Sequence, residues 1–384
     1  MREATETKAA GGKKAARPWA NDAERLRMFG EELDRIRDRV EAEIGADDLA
    51  YIKKVNRFSR AMEAAGRALI HFSIEPVGFF AGVTALWLHK QLQATEVGHT
   101  ALHGAFDKIE GSTFQSKTFA WDTPIDEESW RHVHNVRHHQ YTNIAGKDPD
   151  IHFGPMRLNE HTPYDEKLHG VQLPFAFFLA ANFGLLVNFQ YTGLNDLVFG
   201  NGRGGFDIIE KRDAAQWKTS LRRLLRGYVP YYFKNYVFFP ALAGPFFWKV
   251  MLGNFLAELM TNLYSAATIY CGHVGEDVAD YAPETKARGR GQWYAMQIQA
   301  TNNYEVPLPV SILCGALDRQ IEHHLFPRFP TNRLREIAPE VRALCEKYEI
   351  EYKTDTWGRT LKKVLRRIRQ LSQPTEGEAV TAAA

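Results

Sequence analysis

Apolar and charged positions along this chain fall into blocks, and the blocks predict the elements. The first twenty residues carry Ala, Lys and Gly without an apolar run or a cleavage pattern. They read as a disordered basic tail over residues 1–21, not a signal peptide. From Asp22 onward Leu26, Phe29, Leu33, Ile36 and Val40 recur three and four apart. That spacing predicts an amphipathic helical segment over 22–50 whose apolar stripe packs on the rest of the protein. Two long apolar regions follow. Residues 61–74 run into Glu75-Pro76 and continue to residue 104, and a second region runs from Tyr228 to Cys271, broken at Ala243-Gly244-Pro245. A helix across a bilayer needs roughly 20 residues at about 1.5 Å rise each. Each region is therefore long enough for two spans folded back at a proline-marked turn. His99 lies 23 residues after Pro76, about 34 Å along a helix, and His273 lies 28 after Pro245, about 42 Å. Both would emerge on the face the hairpins entered from.

Residues 168–195 contain no Asp, Glu, Lys or Arg, the longest uncharged run in the chain. Were this run to cross, Arg203, Lys211, Arg212, Lys218, Arg222, Arg223 and Arg226 would lie outside, against the positive-inside tendency. The reading is an interfacial or cap-packed helix there, and four spans in all. The fold expected is all-α and integral to the membrane, with about four transmembrane helices in two hairpins beneath a cytoplasmic helical cap. The boxes of histidine described below and both termini would face the cytoplasm. A main domain would occupy 51–350, followed by a basic helical segment over 351–372 and a disordered tail over 373–384.

Composition changes this picture in two places. Lys and Arg total 48 against 46 Asp and Glu among 384 residues; so even a balance argues against a nucleic-acid partner. Cys271, Cys314 and Cys345 are too few for a disulfide framework and form no CxxC pair. Aromatic residues reach 12%, and 14 histidines gather in tight groups. His99 and His103 stand at i and i+4, a spacing that puts two imidazoles on one helical face. In WRHVHNVRHHQYTN, His134 and His138 repeat the relation and His139 adds a neighbour. His273 ends an apolar helix, and His323 and His324 are adjacent in DRQIEHHLFP, one turn after Gln320. Any one group alone is ordinary. Together, each beside a span that brings it to the same face, eight neutral imidazoles suit two metal ions of the iron, copper, zinc or nickel kind.

HTALH (99–103), HNVRHH (134–139) and QIEHH (320–324), in that order and separated by apolar hairpins, resemble the three histidine boxes of the membrane fatty acid desaturases. The flanking YTN, GKDPD at 146–150, CGH at 271–273 and HHLFP agree with that resemblance, which covers about residues 51–350. It implies a desaturase domain with a non-haem di-iron centre and oxygen-dependent dehydrogenation of a fatty acyl chain. The ligand roles it implies fall on His99, His103, His134, His138, His139, His273, His323 and His324. Two departures stand out. Gln320 opens the third box where many members have histidine, as in front-end, linoleoyl-type desaturases, yet the HPGG haem motif of a fused cytochrome b5 domain does not occur. Ile269 stands where acyl-CoA members place an asparagine four residues before the lone histidine, so a water-mediated contact of that branch is expected to be missing.

The chemistry adds further expectations. Taking hydrogen from an unactivated methylene requires an oxidant far stronger than any side chain, so a metal centre must activate O2; the resemblance implies that this centre is two Fe ions. Histidine ligands hold their orientation by donating their second ring N–H to a carboxylate or carbonyl. Asp107, Asp148, Asp150, Asp318 and Glu322 are candidates, with Gln320 beside them; His132 reads as solvated. The acyl chain needs a narrow apolar tunnel, with Trp121, Trp130, Phe153 and Trp293 as lining candidates. The substrate class is an acyl-CoA, an acyl-carrier thioester or a phospholipid, and basic segments 203–226 and 328–342 are possible docks for its anionic headgroup. No haem, flavin or iron–sulfur motif is found, so a separate donor, ferredoxin or cytochrome b5 with its reductase, is implied. A hydroxylase or acetylenase of the same histidine-box type would share the centre, and a non-catalytic membrane metal carrier or sensor is the reading from another class. A carrier should place ligands at mid-membrane, whereas these boxes sit at the ends of spans.

Overall fold

The computed structural model describes residues 22–199 and 208–375. The tail expected over 1–21, residues 203–207 of the first basic segment and 376–384 of the last tail lie outside the described residues. The fold is almost wholly helical, as the periodicity predicts.

The first helix, Ala23–Glu43, starts where Asp22 accepts a hydrogen bond from the Arg25 amide at 2.9 Å, satisfying one of the unpaired donors of the first turn. The predicted stripe is buried, with Phe29 and Leu33 wholly inaccessible. Each such side chain contributes roughly 1.5–3 kcal/mol by leaving water. The stripe packs on helices Arg290–Gln299 and Thr331–Lys347. Gly30 and Gly291 form the crossing point; a Cβ on Gly291 would lie 1.8 Å from the Leu26 carbonyl oxygen.

Both expected hairpins are present. In the first, Ala46–Phe72 turns back into Pro76–Leu92. Glu75 caps the return helix, accepting from the amides of Val77 and Gly78 at 2.6 Å each, and Pro76 takes a position where no N–H is needed. Gly66 and Gly82 let the arms touch, since a Cβ on Gly66 would approach the Leu86 nitrogen to 2.6 Å. In the second, Ala214–Phe233 continues through a π-helical turn, Lys234–Phe238, and Phe239–Leu242 before a tight turn at Gly244–Phe246. Pro230 lies inside the first arm, where its missing N–H and ring disturb the regular ladder. The return helix, Phe247–His273, packs on Pro76–Leu92 and so joins the hairpins.

Among the described residues no single helix is long and apolar enough to cross a membrane. Charged side chains inside the hairpins lower their apolar content, and they pair between helices. Lys90 Nζ donates to the Tyr231 hydroxyl at 2.7 Å, Tyr236 donates to Glu258 at 2.8 Å, and Arg67 donates to the Asn235 side-chain oxygen at 3.2 Å. The outer faces differ: Phe72 is 82% exposed, Ile74 100%, Val77 79% and Trp248 72%.

Residues 168–195 depart from the single helix expected. Gln172–Ala181 and Phe183–Tyr191 meet at 100°. Asn182 leaves the helical region (φ −121°, ψ 31°), and its side-chain amide donates to the Phe178 carbonyl at 2.9 Å, closing the first helix. This bent pair is the one stretch of the described residues with the length and composition of a span. The basic C-terminal part is also divided. Helix Thr331–Lys347 is followed by a short strand, Thr354–Thr356, parallel to Asn303–Glu305, and then by helix Trp357–Leu371.

Candidate metal centre

The local backbone around the first two boxes is not the ordinary α-helix expected. Gln93–His99 and Arg131–His138 are both π-helical, a geometry with i→i+5 bonds that is frequent at functional sites. The first π turn is held by Trp121, whose indole N–H donates to the Gln93 carbonyl at 2.9 Å. Gly98 makes room for that ring; a Cβ there would lie 2.0 Å from the indole nitrogen. Glu96 anchors the same turn to helix Thr331–Lys347 through Arg335 at 2.7 Å. His273 ends helix Phe247–His273, and His323 and His324 sit on the short helix Gln320–Leu325.

These elements bring all eight sequence-predicted histidines together. Side-chain nitrogens of His99, His103, His134 and His323 all lie within 4.8 Å of one another, and those of His138, His273 and His324 form a second such group. In the first group Nε2 of His99 is 3.2 Å from Nε2 of His103 and 3.4 Å from that of His134. In the second, Nε2 of His324 and His273 are 3.3 Å apart. Nitrogens sharing one ion at about 2.1 Å must stand about 3 to 3.4 Å from each other, so both spacings fit a metal. His139 lies between the groups, its ring centroid 4.8 Å from His103, 4.9 Å from His323 and 4.4 Å from His324.

Unpartnered nitrogens point the same way. His138 Nε2, His323 Nε2 and both ring nitrogens of His139 are buried without a hydrogen-bond partner. Each orphan costs about 1–3 kcal/mol unless something else satisfies it. Burial, reinforced by neighbouring imidazoles, pushes His139, His323 and His324 well below the ordinary histidine range, which keeps their lone pairs available. His138 differs. Burial opposes its charge, but Asp148 and Asp150 outweigh burial and raise it to about 9. A metal at Nε2 would take the place of that proton.

Two of the five acidic candidates reach histidines. Asp148 accepts from His138 Nδ1 at 2.9 Å, and Asp150 from His134 Nδ1 at 3.1 Å. Both stand in the GKDPD loop, which Asp148 tightens by accepting from the amides of Asn143 and Asp150 at 2.7 and 2.9 Å. Burial alone would raise Asp150, yet His138 and His134 hold it far below the usual carboxylate range. The other three acids point elsewhere. Asp107 takes two hydrogen bonds from Ser116, Asp318 one from Ser311, and Glu322 bonds with Asn303 and Tyr352. Gln320 lies against His273, its amide nitrogen 2.7 Å from Nε2. His132 is exposed, as expected.

Four contributors were not singled out from sequence. Thr142 Oγ1 and Gln297 Oε1 lie 3.1 and 3.0 Å from His324 Nδ1. Asn143 donates to the carbonyls of His273, Ala279 and Ala300 at 3.2–3.3 Å. Tyr191 donates to Asp150 at 2.5 Å, so the bent pair reaches the site. Thr142 and Asn143 belong to the YTN that follows the second box, where a signal existed. Tyr191 and Gln297 carry none.

A narrow cavity of about 110 Å³ opens beside the nitrogen groups. Trp121, Trp130, Phe153 and Ile269 line it, together with His99, His134 and His273. Trp293 does not line it; that ring packs against the core beneath the first helix.

Two converging imidazole groups, enclosed by helices and bordered by an apolar cavity, define a histidine-rich metal enzyme. The profile of the fatty acid desaturase family matches residues 74–356, and the chain belongs to that family. It is 32% identical over 349 residues to an NADPH-dependent stearoyl-CoA 9-desaturase of Mycobacterium tuberculosis, covering 89% of this chain and 79% of the relative. An acyl-lipid (8-3)-desaturase of Mortierella alpina is 27% identical over 246 residues, 63% of this chain and 53% of its own length. Fatty acid desaturase 3 of Bos taurus is 24% identical over 248 residues, 63% and 50%. The protein is therefore an oxidoreductase acting on fatty acyl chains.

Proposed function

We propose that the protein is an oxygen-dependent acyl-CoA desaturase that introduces a cis double bond into a saturated chain at a di-iron centre. The observation that carries this reading is the convergence of the two nitrogen groups, both of which contribute histidines to the wall of the cavity. The relative at 32% identity, whose name specifies stearoyl-CoA, supports the thioester as substrate class. Two irons held there would supply the activation of O2 and the removal of hydrogen from an unactivated methylene, which no side chain can accomplish. The balance is one –CH2–CH2– unit, O2, two electrons and two protons giving one alkene and two waters. The electrons come from a separate carrier protein.

The chain's own residues do the holding. His99, His103, His134 and His323 would hold one ion and His138, His273 and His324 the other; His139 lies between the two groups. Asp148 and Asp150 accept from Nδ1 of His138 and His134, which fixes each ring so that Nε2 faces the metal. Thr142 and Gln297 do the same for His324. Trp121, Trp130 and Phe153 exclude water and confine the chain beside His99 and His134. Ile269 gives that wall a wholly apolar side chain.

The hairpins sit in a lipid bilayer, with the histidine boxes at its cytoplasmic face. The support is the exposure of Phe72, Ile74, Val77 and Trp248 at and beside the hairpin turns, apolar surface that water disfavours, while charges such as Lys90 and Glu258 pair inside. Expression in a host lacking the activity, with mass-spectrometric location of new double bonds, tests the reading. A new alkene is expected; a hydroxy acid without an alkene, or stoichiometric zinc with no iron-dependent product, would overturn it.

A further inference from the structure

The helix Trp357–Leu371 contains six basic residues and no acidic one, in a chain whose overall charge is only +2. Its two faces have separate jobs. Thr360, Val364, Ile368 and Leu371 are buried, against helices Phe247–His273 and Gln172–Ala181. Lys363 and Arg367 turn inward as well, ion-paired with Asp277 at 2.8 Å and Glu160 at 3.2 Å. The remaining four, Arg359, Lys362, Arg366 and Arg369, recur at spacings of three and four along the outer face. Arg359 and Arg366 are 74% and 62% exposed while pairing at their edges with Asp355 at 3.6 Å and Glu276 at 2.8 Å, and Leu365, 37% exposed, lies among them. Lys362 and Arg369 form no ion pair with any described residue. A basic rim around an exposed apolar side chain is the composition of a transient protein-docking patch.

The helix is also joined to the metal centre. Trp357, its first residue, stacks on the buried Tyr304 with centroids 5.6 Å apart and planes 14° from parallel. Both rings share a core with Cys271, two residues before His273. A headgroup dock has no use for such a chain of aromatic and sulfur atoms running inward; an electron does.

We propose that the outer face of helix Trp357–Leu371 docks an acidic one-electron carrier protein, and that Trp357 and Tyr304 lead its electrons toward His273. The inference rests on the reading that desaturation here consumes electrons from a separate carrier. Each turnover then needs two docking events, each moving one electron from the reduced carrier to the metal centre, so a weak, charge-steered contact suits the task.

The test compares the holoenzyme with its K362E/R366E/R369E variant, reduced either by an acidic [2Fe–2S] ferredoxin with its reductase or, under argon before O2 is admitted, by stoichiometric methyl viologen radical. With ferredoxin at low salt the variant's rate should fall by about tenfold or more. Its dependence on salt between about 10 and 150 mM should also flatten. With methyl viologen the rate and the KM for acyl-CoA should match wild type. Unchanged ferredoxin-driven turnover, or equal ferredoxin binding by the two proteins, would overturn the proposal. So would a raised acyl-CoA KM with both reductants, which marks a headgroup dock, or lost binding to phosphatidylglycerol vesicles with ferredoxin kinetics intact. Should the triple variant fold poorly, Leu365→Ala keeps the test alive with a smaller loss confined to the ferredoxin assay. Trp357→Leu should slow ferredoxin-driven reduction while leaving ferredoxin affinity unchanged; unaltered reduction would sink the route. Failure of wild type to form an alkene with either reductant would count against the desaturase reading, and direct ferredoxin binding would still report on the dock.

Discussion

The two nitrogen groups differ in number and in support. The first gathers four imidazoles, and only His134 among them bonds a carboxylate, Asp150 at 3.1 Å. His99 and His103 are instead fixed by packing on Trp130, with ring centroids 5.4 and 5.2 Å away. The second gathers three imidazoles, but two are held by hydrogen bonds, His138 by Asp148 and His324 by Thr142 and Gln297. Where it has one imidazole fewer, Gln320 lies against His273. On the reading proposed above, imidazole number and imidazole orientation are two ways to the same end. The group poorer in imidazoles is richer in outer hydrogen bonds.

The strongest way to break that comparison removes one imidazole from each group. His138→Ala leaves two in its group and His323→Ala leaves three. Both should bring alkene formation below detection, measured by product analysis. Bound iron, measured on purified protein, should fall further in His138→Ala. Equal iron loss would mean that the groups do not act as separate sites.

Removing the supports should have a smaller effect. Asp148→Asn and Asp150→Asn keep the volume but weaken the hold on His138 and His134. Activity should fall by about 10–100-fold in each. Mössbauer spectra should show Asp148→Asn disturbing one iron and Asp150→Asn the other. Gln320→Ala, which takes away a neighbour of His273 and leaves every imidazole in place, should cost about tenfold at most. Full activity in Gln320→Ala would show that the second group needs nothing beyond its three histidines.

Much of this site is legible from sequence because metal ligands on a helix must recur at short, fixed spacings. The three boxes stand out for that reason, whereas His273 stands alone and is legible only through the CGH of the family resemblance; the hairpin turns are marked instead by Pro76 and Pro245. Direction is harder to read than proximity. Glu322 precedes His323, yet one step along a helix turns a side chain by about 100°, and its carboxyl faces Asn303 and Tyr352. Asp107 and Asp318 mislead in the same manner. The π turns are invisible because i and i+4 share a face in either geometry. The bend at Asn182 depends on a side chain competing for its own helix's carbonyl, and an asparagine in an apolar run does not announce that. Trp293 shows the limit for aromatic rings: whether such a ring lines a tunnel or fills a core depends on a tertiary neighbour, here the first helix.

The smallest effect separates the carboxylate loop from both nitrogen groups. His152 follows GKDPD and accepts a hydrogen bond from the Gly146 amide at 3.2 Å. Burial pushes its imidazole down to about 4 from an ordinary value of about 6.5. Above pH 6.5 neither the folded nor the unfolded chain protonates it, and its contribution is flat. Between about pH 6.5 and 4 the unfolded chain binds a proton that the folded one refuses, so stability falls as pH falls, by about 2 kcal/mol at pH 5. His152→Gln keeps an acceptor for Gly146 and removes the titration. Unfolding followed in detergent at pH 7 and pH 5 should show a shallower loss in His152→Gln than in wild type. Because the histidines of both groups are common to the two proteins, the difference in slope belongs to the loop; identical slopes would show that His152 is no part of its acid sensitivity.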